Sequence, residues 1–169
     1  LDCGEPVEEE EGVEEEPPYV ELESRRLDVR GAFNSPLPGI ARLRLRASHT
    51  DYQHQELEEG VAATTFTNKG QEVRLEAEHV PWGRWVGVLG VQHSDVDTGA
   101  VGEEAFVPVA RQRSTGLFLI EHFELSDRSH LELGVRQDWQ SIRPIESTDN
   151  RPDFSDTALS FSSRVKAVM

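Results

Sequence analysis

Three segments of this chain alternate apolar residues with mostly charged ones, position by position. Side chains on a β-strand point to opposite faces with a period of two, so each segment predicts a strand with one apolar and one charged face. Either the apolar faces close on one another as a dry core, or they contact lipid while the charges line a water-filled interior. The apolar positions are Ala41, Leu43, Leu45 and Ala47, then Val73, Leu75 and Ala77, then Leu131, Leu133 and Val135.

The charged positions between these residues form rows of Arg and Glu. If the second and third predicted strands are neighbours, the rows face each other, and each pair of opposite charges contributes about 0.2–1 kcal/mol. The rows are too densely charged for the interior of a sandwich, so we expect them to form the lumen-facing wall of a barrel. Glu78 and Glu121 are assigned to the same face. The wall residues are Arg42, Arg44, Arg46, Glu72, Arg74, Glu76, Glu132, Arg136 and Asp138.

Composition favours the membrane-facing alternative. Only 36% of the 169 residues are hydrophobic, against roughly 45–50% in an average globular protein, as expected when only every second strand residue is apolar. The net charge is −15, and residues 1–17 contain nine acids and no base. This acidity disfavours a nucleic-acid partner. The sequence contains no run of about 18 apolar residues, so it predicts no helical membrane span.

The predicted fold is all-β: an antiparallel meander of about seven long strands, part of a transmembrane β-barrel. Tight turns are expected around Leu37, Trp82 and Asp127, where turn-forming residues interrupt the pattern. Longer polar connections alternate with these turns, at 51–60, 95–104 and 146–153. The strands are expected at about 19–33, 40–53, 62–79, 84–95, 106–124, 130–145 and 154–168.

Aromatic residues cluster near the predicted strand ends, which is typical of the two aromatic belts of an outer-membrane barrel. The alternative is that they are ordinary strand residues. The short-turn end has Phe33, Trp82, Trp85 and Phe123, and the long-loop end has Tyr52, Phe66, Phe106 and Trp139. We expect His79, His122 and His130 to be interfacial side chains at the short-turn end.

Six segments carry a more specific pattern through their order and spacing. They are Thr50–Glu58, Thr64–Gly70, Gly87–Gln92, Gly102–Pro108, Gly116–Glu121 and Leu131–Arg136. This succession resembles the β-barrel of TonB-dependent outer-membrane receptors, in the branch linked to uptake of zinc and other metals by Gram-negative bacteria. The similarity covers roughly residues 18–145.

The resemblance implies an outer-membrane barrel of about 22 strands, plugged by an N-terminal domain and driven by the inner-membrane TonB complex. The chain corresponds to about a third of such a barrel and carries no plug, so transport would belong to the parent protein. The implied partners are outer-membrane lipid, the TonB complex through the missing plug, and a metal ion or metal chelate. The charged wall would also contact the plug. No tightly bound cofactor is expected, and a divalent metal would be transported.

A rim of His and carboxylate side chains near the long-loop ends is the candidate metal site. Such a mixed set could capture a divalent cation loosely before passing it inward, and the alternative is a solvated polar loop. Metal-linked relatives tend to be rich in His after an Asp-Cys-Gly stretch, but here Asp2-Cys3-Gly4 leads into acids, so zinc is only a first expectation. The candidates are His49, Asp51, His54, Glu56, His93, Glu103 and Glu104.

The start of the chain forms a unit of its own. We expect residues 1–17 to be an acidic extracellular loop segment that concentrates cations or is simply solvated, and 18–169 to be the partial barrel. The chain begins with Leu1 rather than Met, which predicts an internal or processed piece. Cys3 is expected to form a disulfide with a cysteine of a missing segment; the alternatives are that it is a metal ligand or that it has no role.

Enzyme activity is not expected. The sequence has no nucleophile elbow, no Cys/His pair at nucleophile spacing and no phosphate-binding loop. Two alternatives to the receptor remain. A small soluble β-barrel or sandwich acting as a binding module would have to bury Leu43, Leu45, Leu75 and Leu133 together, whereas a membrane barrel points them outward. A passive porin-type channel would lack the plug.

Overall fold

The computed structural model describes residues 19–58, 61–102, 108–145 and 153–167. Over these ranges the chain forms seven strands that pair in sequence order as one antiparallel sheet. The predicted all-β meander is therefore confirmed. The strands are β1 (Tyr19–Leu37), β2 (Ile40–Glu58), β3 (Val61–His79), β4 (Trp85–Gly102), β5 (Ala110–Ser126), β6 (Ser129–Pro144) and β7 (Phe154–Ala167).

The predicted polar connections after the second and fourth strands are wrong, because both strands continue through them. β2 runs to Glu58 and β4 to Gly102, well past the points where loops were expected. The extensions pair almost residue by residue with β3. Backbone hydrogen bonds, rather than an apolar face, therefore keep these polar segments extended.

The three tight turns lie where the sequence predicts them. Residues 38–39 join β1 to β2, and Gly39 has a φ of 86°, a left-handed conformation that favours glycine. Gly83, with a φ of 62°, serves the turn between β3 and β4. Residues 127–128 join β5 to β6. The Val80 N–H donates to the Gly39 carbonyl at 3.0 Å, so the first two turns lie side by side.

The register gives the sheet two chemically different faces. Paired residues have the same parity through the central part of every strand pair. Even-numbered side chains therefore share one face, termed the charged face, and odd-numbered side chains share the other, termed the apolar face. An unbroken apolar row crosses all seven strands through Phe33, Leu43, Ala77, Leu89, Leu119, Val135 and Phe161.

In the part of the chain that the structure describes, no second layer covers the apolar face. Leu89 is 59% exposed, Leu133 39% and Leu75 36%. Of the three buried apolar residues among those described, Ala100 and Phe118 have even numbers and lie on the charged face, and Leu57 is the next-to-last residue of β2. The shared apolar interior that a soluble module requires is thus not present among these residues.

None of the described residues forms a helix with the length and apolar character required to span a bilayer. The acidic segment 1–17, with Cys3, and the residues Glu103, Glu104 and 146–152 lie outside the described ranges. The roles predicted for them stay predictions.

Candidate functional site

The nine predicted wall residues share the charged face, on β2, β3 and β6. Opposite charges meet on adjacent strands, since Arg42 lies across from Glu78 and Arg44 from Glu76. The Arg44 guanidinium contacts two carboxylates: Nε lies 3.2 Å from Glu76 Oε2, and Nη2 lies 3.7 Å from Glu78 Oε2. Ion pairs therefore tie β2 to β3 on this face.

Glu121 does not belong to this wall. The register sets it opposite Gly87 on β4 and Leu133 on β6, which places its side chain on the apolar face. The prediction for Glu121 is wrong because its charge was given more weight than its position. Leu119 and Phe123, two residues away on either side, have the same parity and share the apolar face.

A row of three arginines crosses the charged face. Arg30, Arg46 and Arg74 lie directly opposite one another on β1, β2 and β3. Arg74 donates to Glu76 Oε1 at 2.8 Å and to Gln92 Oε1 at 3.2 Å. Arg46 forms no ion pair with any residue of the described ranges. Like charges directly opposite are destabilising, so the row concentrates positive charge at this place on the charged face.

Phe118 is packed into the charged face and is only 6% exposed. Its ring covers Gly90 on β4, where an added Cβ would lie 2.6 Å from Phe118 Cε1. The guanidinium carbons of Arg74 and Arg136 lie 4.4 and 5.8 Å from the ring centroid. The ring is thus held between a glycine backbone and two cations. Sequence reasoning missed this cluster, although an isolated Gly inside a strand can signal such a close approach.

An open groove of about 580 Å³ crosses β1 to β4 on the charged face, beside the arginine row. Eight of its ten lining residues carry a hydroxyl, amide or charged group, so the groove offers many hydrogen-bonding partners to water or to a polar surface. The lining residues are Arg26, Ser48, Thr50, Tyr52, Asn68, Gly70, Gln71, Glu72, Ser94 and Val96.

The candidate metal ligands are divided between the two faces. His49, Asp51 and His93 have odd numbers, whereas His54 and Glu56 lie on the charged face. Within the described ranges, no group of three or more His, Cys, Asp or Glu side chains is placed to hold a metal ion. The structure therefore does not bring these candidates together into one site.

Two of the candidate ligands, His54 and His93, instead contact neighbouring side chains. The His54 ring stacks on Phe66 with a centroid distance of 4.4 Å, and Tyr52 meets it edge-on at 5.6 Å. His93 Nδ1 lies 2.8 Å from Thr115 Oγ1. Because Tyr52 and Phe66 lie on the charged face with His54, they do not belong to the predicted outer aromatic belt.

Beyond the apolar rows, the odd-numbered side chains of β4 and β5 form an ion-pair ladder. Arg111 binds both carboxylate oxygens of Asp97, with Nε–Oδ1 and Nη2–Oδ2 distances of 2.6 Å. Arg113 Nε donates to Asp95 Oδ2 at 2.9 Å. This ladder was not predicted, because residues 95–104 were expected to form a loop. The sequence does contain one signal for this ladder: two aspartates, Asp95 and Asp97, and two arginines, Arg111 and Arg113, are each spaced two residues apart.

The Asp97–Arg111 pair predicts a pH-dependent contribution to stability. The Arg111 guanidinium lowers the pKa of the Asp97 carboxyl from its ordinary 3.8, on a strand extension outside the apolar rows. The stabilisation is therefore present above pH 3.8 and is lost as the pH falls through the lower folded-state pKa. We expect Asp97→Asn to lower the urea midpoint slightly at neutral pH, since the pair is partly exposed, and not in strong acid.

The matched control is Asp127→Asn, in the exposed turn between β5 and β6. Its urea midpoint should follow that of the wild type at both pH values. An Asp97→Asn effect of equal size in strong acid would contradict the ion-pair explanation.

Comparison with known proteins agrees with this architecture. The family model described as "TonB dependent receptor-like, beta-barrel" matches residues 19–168, which include all seven strands. Among solved structures, the chain is similar to "Copper transporter OprC", with a TM-score of 0.74 and 16% sequence identity. The match covers 88% of this chain and 28% of that chain. At this identity the likeness shows the fold alone. Because the family model spans nearly the whole chain, the chain belongs to the TonB dependent receptor-like β-barrel family.

Proposed function

We propose that this chain forms part of the wall of a TonB-dependent receptor in the outer membrane of a Gram-negative bacterium, which takes up a metal ion or metal complex. The apolar face contacts lipid, and the charged face, with its nine wall residues, lines the lumen. The observation that carries this proposal is the apolar row from Phe33 to Phe161, which crosses the sheet without a described layer above it. Lipid on the outer face and water on the inner face satisfy both sets of side chains.

The two edges of the sheet support a larger barrel. β1 and β7 each pair with a single neighbour among the described strands. An unpaired edge presents free N–H and C=O groups and promotes aggregation, and a closed barrel removes it. The chain also spans only 28% of the length of the matched copper transporter. We therefore propose that it supplies about a third of a barrel, and that transport belongs to the whole receptor.

The arginine row supports contact with a plug domain in the lumen. Arg30, Arg46 and Arg74 lie in register, so an acidic surface above them would relieve their mutual repulsion. In this proposal, carboxylates of the plug meet the row, and the TonB complex acts on the plug. The wall residues then serve as structure and plug contact rather than as a path for the metal.

The substrate is proposed as zinc or copper, free or chelated. Zinc follows from the resemblance to the zinc-linked branch, and copper from the name of the matched transporter. Imidazole suits both metals, yet His54 and His93 lie on opposite faces. Capture is therefore assigned to loops and plug, with the acidic segment 1–17 as an extracellular cation attractor.

Metal accumulation by living cells tests this proposal. Deleting the gene is expected to lower the zinc or copper content of cells grown at limiting metal, because the main entry route is lost. Inactivating TonB should lower it equally, since the receptor takes its energy from that complex. The metal content of washed cells is measured by mass spectrometry, with the complemented deletion strain as control.

Two outcomes would contradict the proposal that the protein is a TonB-dependent receptor. Accumulation that survives TonB inactivation would favour the passive channel. Recovery of the protein as a folded, detergent-free monomer would favour the soluble binding module, which must then cover the exposed row through Leu89 and Leu119 in another way.

A further inference from the structure

Glu121 places a carboxylate on the apolar face, close to the short turns. Its side chain is 22% exposed and crosses Gly87, where an added Cβ would overlap the carboxyl group. Because Gly87 has no side chain, the carboxylate reaches over β4 to His79, the last residue of β3. Glu121 Oε2 lies 3.3 Å from His79 Nε2.

His79 contacts an oxygen atom through each of its two ring nitrogens. His79 Nδ1 lies 2.7 Å from the carbonyl oxygen of Val80. A carbonyl oxygen only accepts, so Nδ1 carries the hydrogen, and Nε2 of the neutral ring presents a lone pair. A carboxylate opposite Nε2 also only accepts. One hydrogen must therefore lie between the two atoms: a second proton on the imidazole, a proton on the carboxyl group, or an N–H of a ligand that donates to both atoms.

Two grooves flank this pair. An apolar groove of about 460 Å³ runs from the carboxylate along Leu119, Leu133 and Phe161. A second groove, of about 450 Å³, lies toward the turns and is lined by Trp82 and Trp85 among others. Tryptophan is enriched at the headgroup level of a bilayer. The pair thus lies where hydrocarbon would give way to headgroups.

We propose that the Glu121–His79 pair binds the primary ammonium group of a phospholipid, phosphatidylethanolamine, with an acyl chain along the apolar groove. The ammonium group has three N–H donors and a positive charge, so it can donate to both acceptors and complements the carboxylate. A choline headgroup has the same charge but no N–H donor. The inference rests on the proposed function, because lipid reaches this groove only if the apolar face lies in the membrane.

Lipid retention tests the site. The receptor that carries this chain is reconstituted in equal amounts of phosphatidylethanolamine and phosphatidylcholine with identical acyl chains. After mild delipidation, the retained lipids are counted by mass spectrometry. We expect wild type to retain the ethanolamine lipid roughly fivefold over the choline lipid, as for one partly solvated charged hydrogen bond. The ratio should fall to about one in Glu121→Gln.

Further variants separate binding from folding. Glu124→Gln changes a carboxylate on the charged face of the same strand, so it should keep the wild-type lipid preference. Gly87→Ala displaces the Glu121 carboxylate and should abolish the preference. Should that variant fail to fold, Glu121→Gln, which preserves side-chain size, still decides the matter. Circular dichroism verifies the β-structure of each variant.

The outcomes distinguish this inference from the function on which it rests. If wild type retains the two lipids equally, the headgroup site is overturned while membrane placement stands. The same holds if Glu121→Gln keeps the full preference. If the receptor does not float with liposomes of either lipid, the proposed membrane placement itself is overturned.

Discussion

Replacing Leu45 with arginine is expected to destabilise the folded barrel and to lower the amount of receptor that assembles in the membrane. Leu45 lies on the apolar face of β2, between Gly31 on β1 and Leu75 on β3. An Arg on the lipid side of a β-barrel costs about 2–4 kcal/mol near the bilayer midplane. Even the lower figure shifts the folding equilibrium roughly thirtyfold. Urea unfolding in lipid vesicles and the amount of receptor in the outer-membrane fraction measure the effect.

The matched control is Ser48→Arg, which places the same cation on the same strand but on the charged face. Ser48 lies between Asp28 and Glu72 in register and borders the open groove. The new guanidinium therefore has space and two neighbouring carboxylates, and we expect a stability within about 0.5 kcal/mol of wild type. If Ser48→Arg proved the more damaging change, the assignment of the two faces to lipid and lumen would be reversed.

The strand order and the character of the two faces could be predicted because they depend on local rules. The alternation in 41–47, 73–77 and 131–135 fixes which side chains share a face, and turn residues mark where the chain reverses. The same rules failed at the ends of β2 and β4. An alternation rule detects a strand by its apolar face, whereas a backbone ladder paired on both sides can extend polar residues such as Asp95 and Asp97 without one.

The candidate site residues also divide into those that local rules predict and those that they do not. The wall residues follow from parity alone, and the structure keeps all nine on one face. The metal rim was chosen by residue type near strand ends, yet His49 and His54 are an odd number of residues apart on one strand and so point to opposite faces. Glu121 was assigned to the wrong face because the assignment followed its charge rather than its odd position along the strand. The contacts over Gly87 and Gly90 could not be predicted, because they depend on which residues face each other across β4 and β5, and no local sequence pattern specifies that register.

Adding one methyl group at Gly90 is expected to destabilise the barrel by about 1–3 kcal/mol, as overpacking does in dense cores. The new Cβ would lie 2.6 Å from Phe118 Cε1. The ring cannot easily move away, because the guanidinium groups of Arg74 and Arg136 lie over it. Urea unfolding in vesicles measures the change. Gly31→Ala is the matched control, since its Cβ would lie 3.6 Å from the nearest side chain, an ordinary contact.

A double-mutant cycle decides whether Phe118 is the cause. Phe118→Ala removes the ring that covers Gly90 and should be destabilising by itself, by up to about 3–5 kcal/mol. In the Gly90→Ala/Phe118→Ala double variant the added methyl group meets no ring. Its cost should therefore vanish, leaving the double variant no less stable than Phe118→Ala, with a coupling energy close to the cost of Gly90→Ala alone. Simple addition of the two costs would instead assign the need for glycine to the β4 backbone and exclude the aromatic packing as its reason.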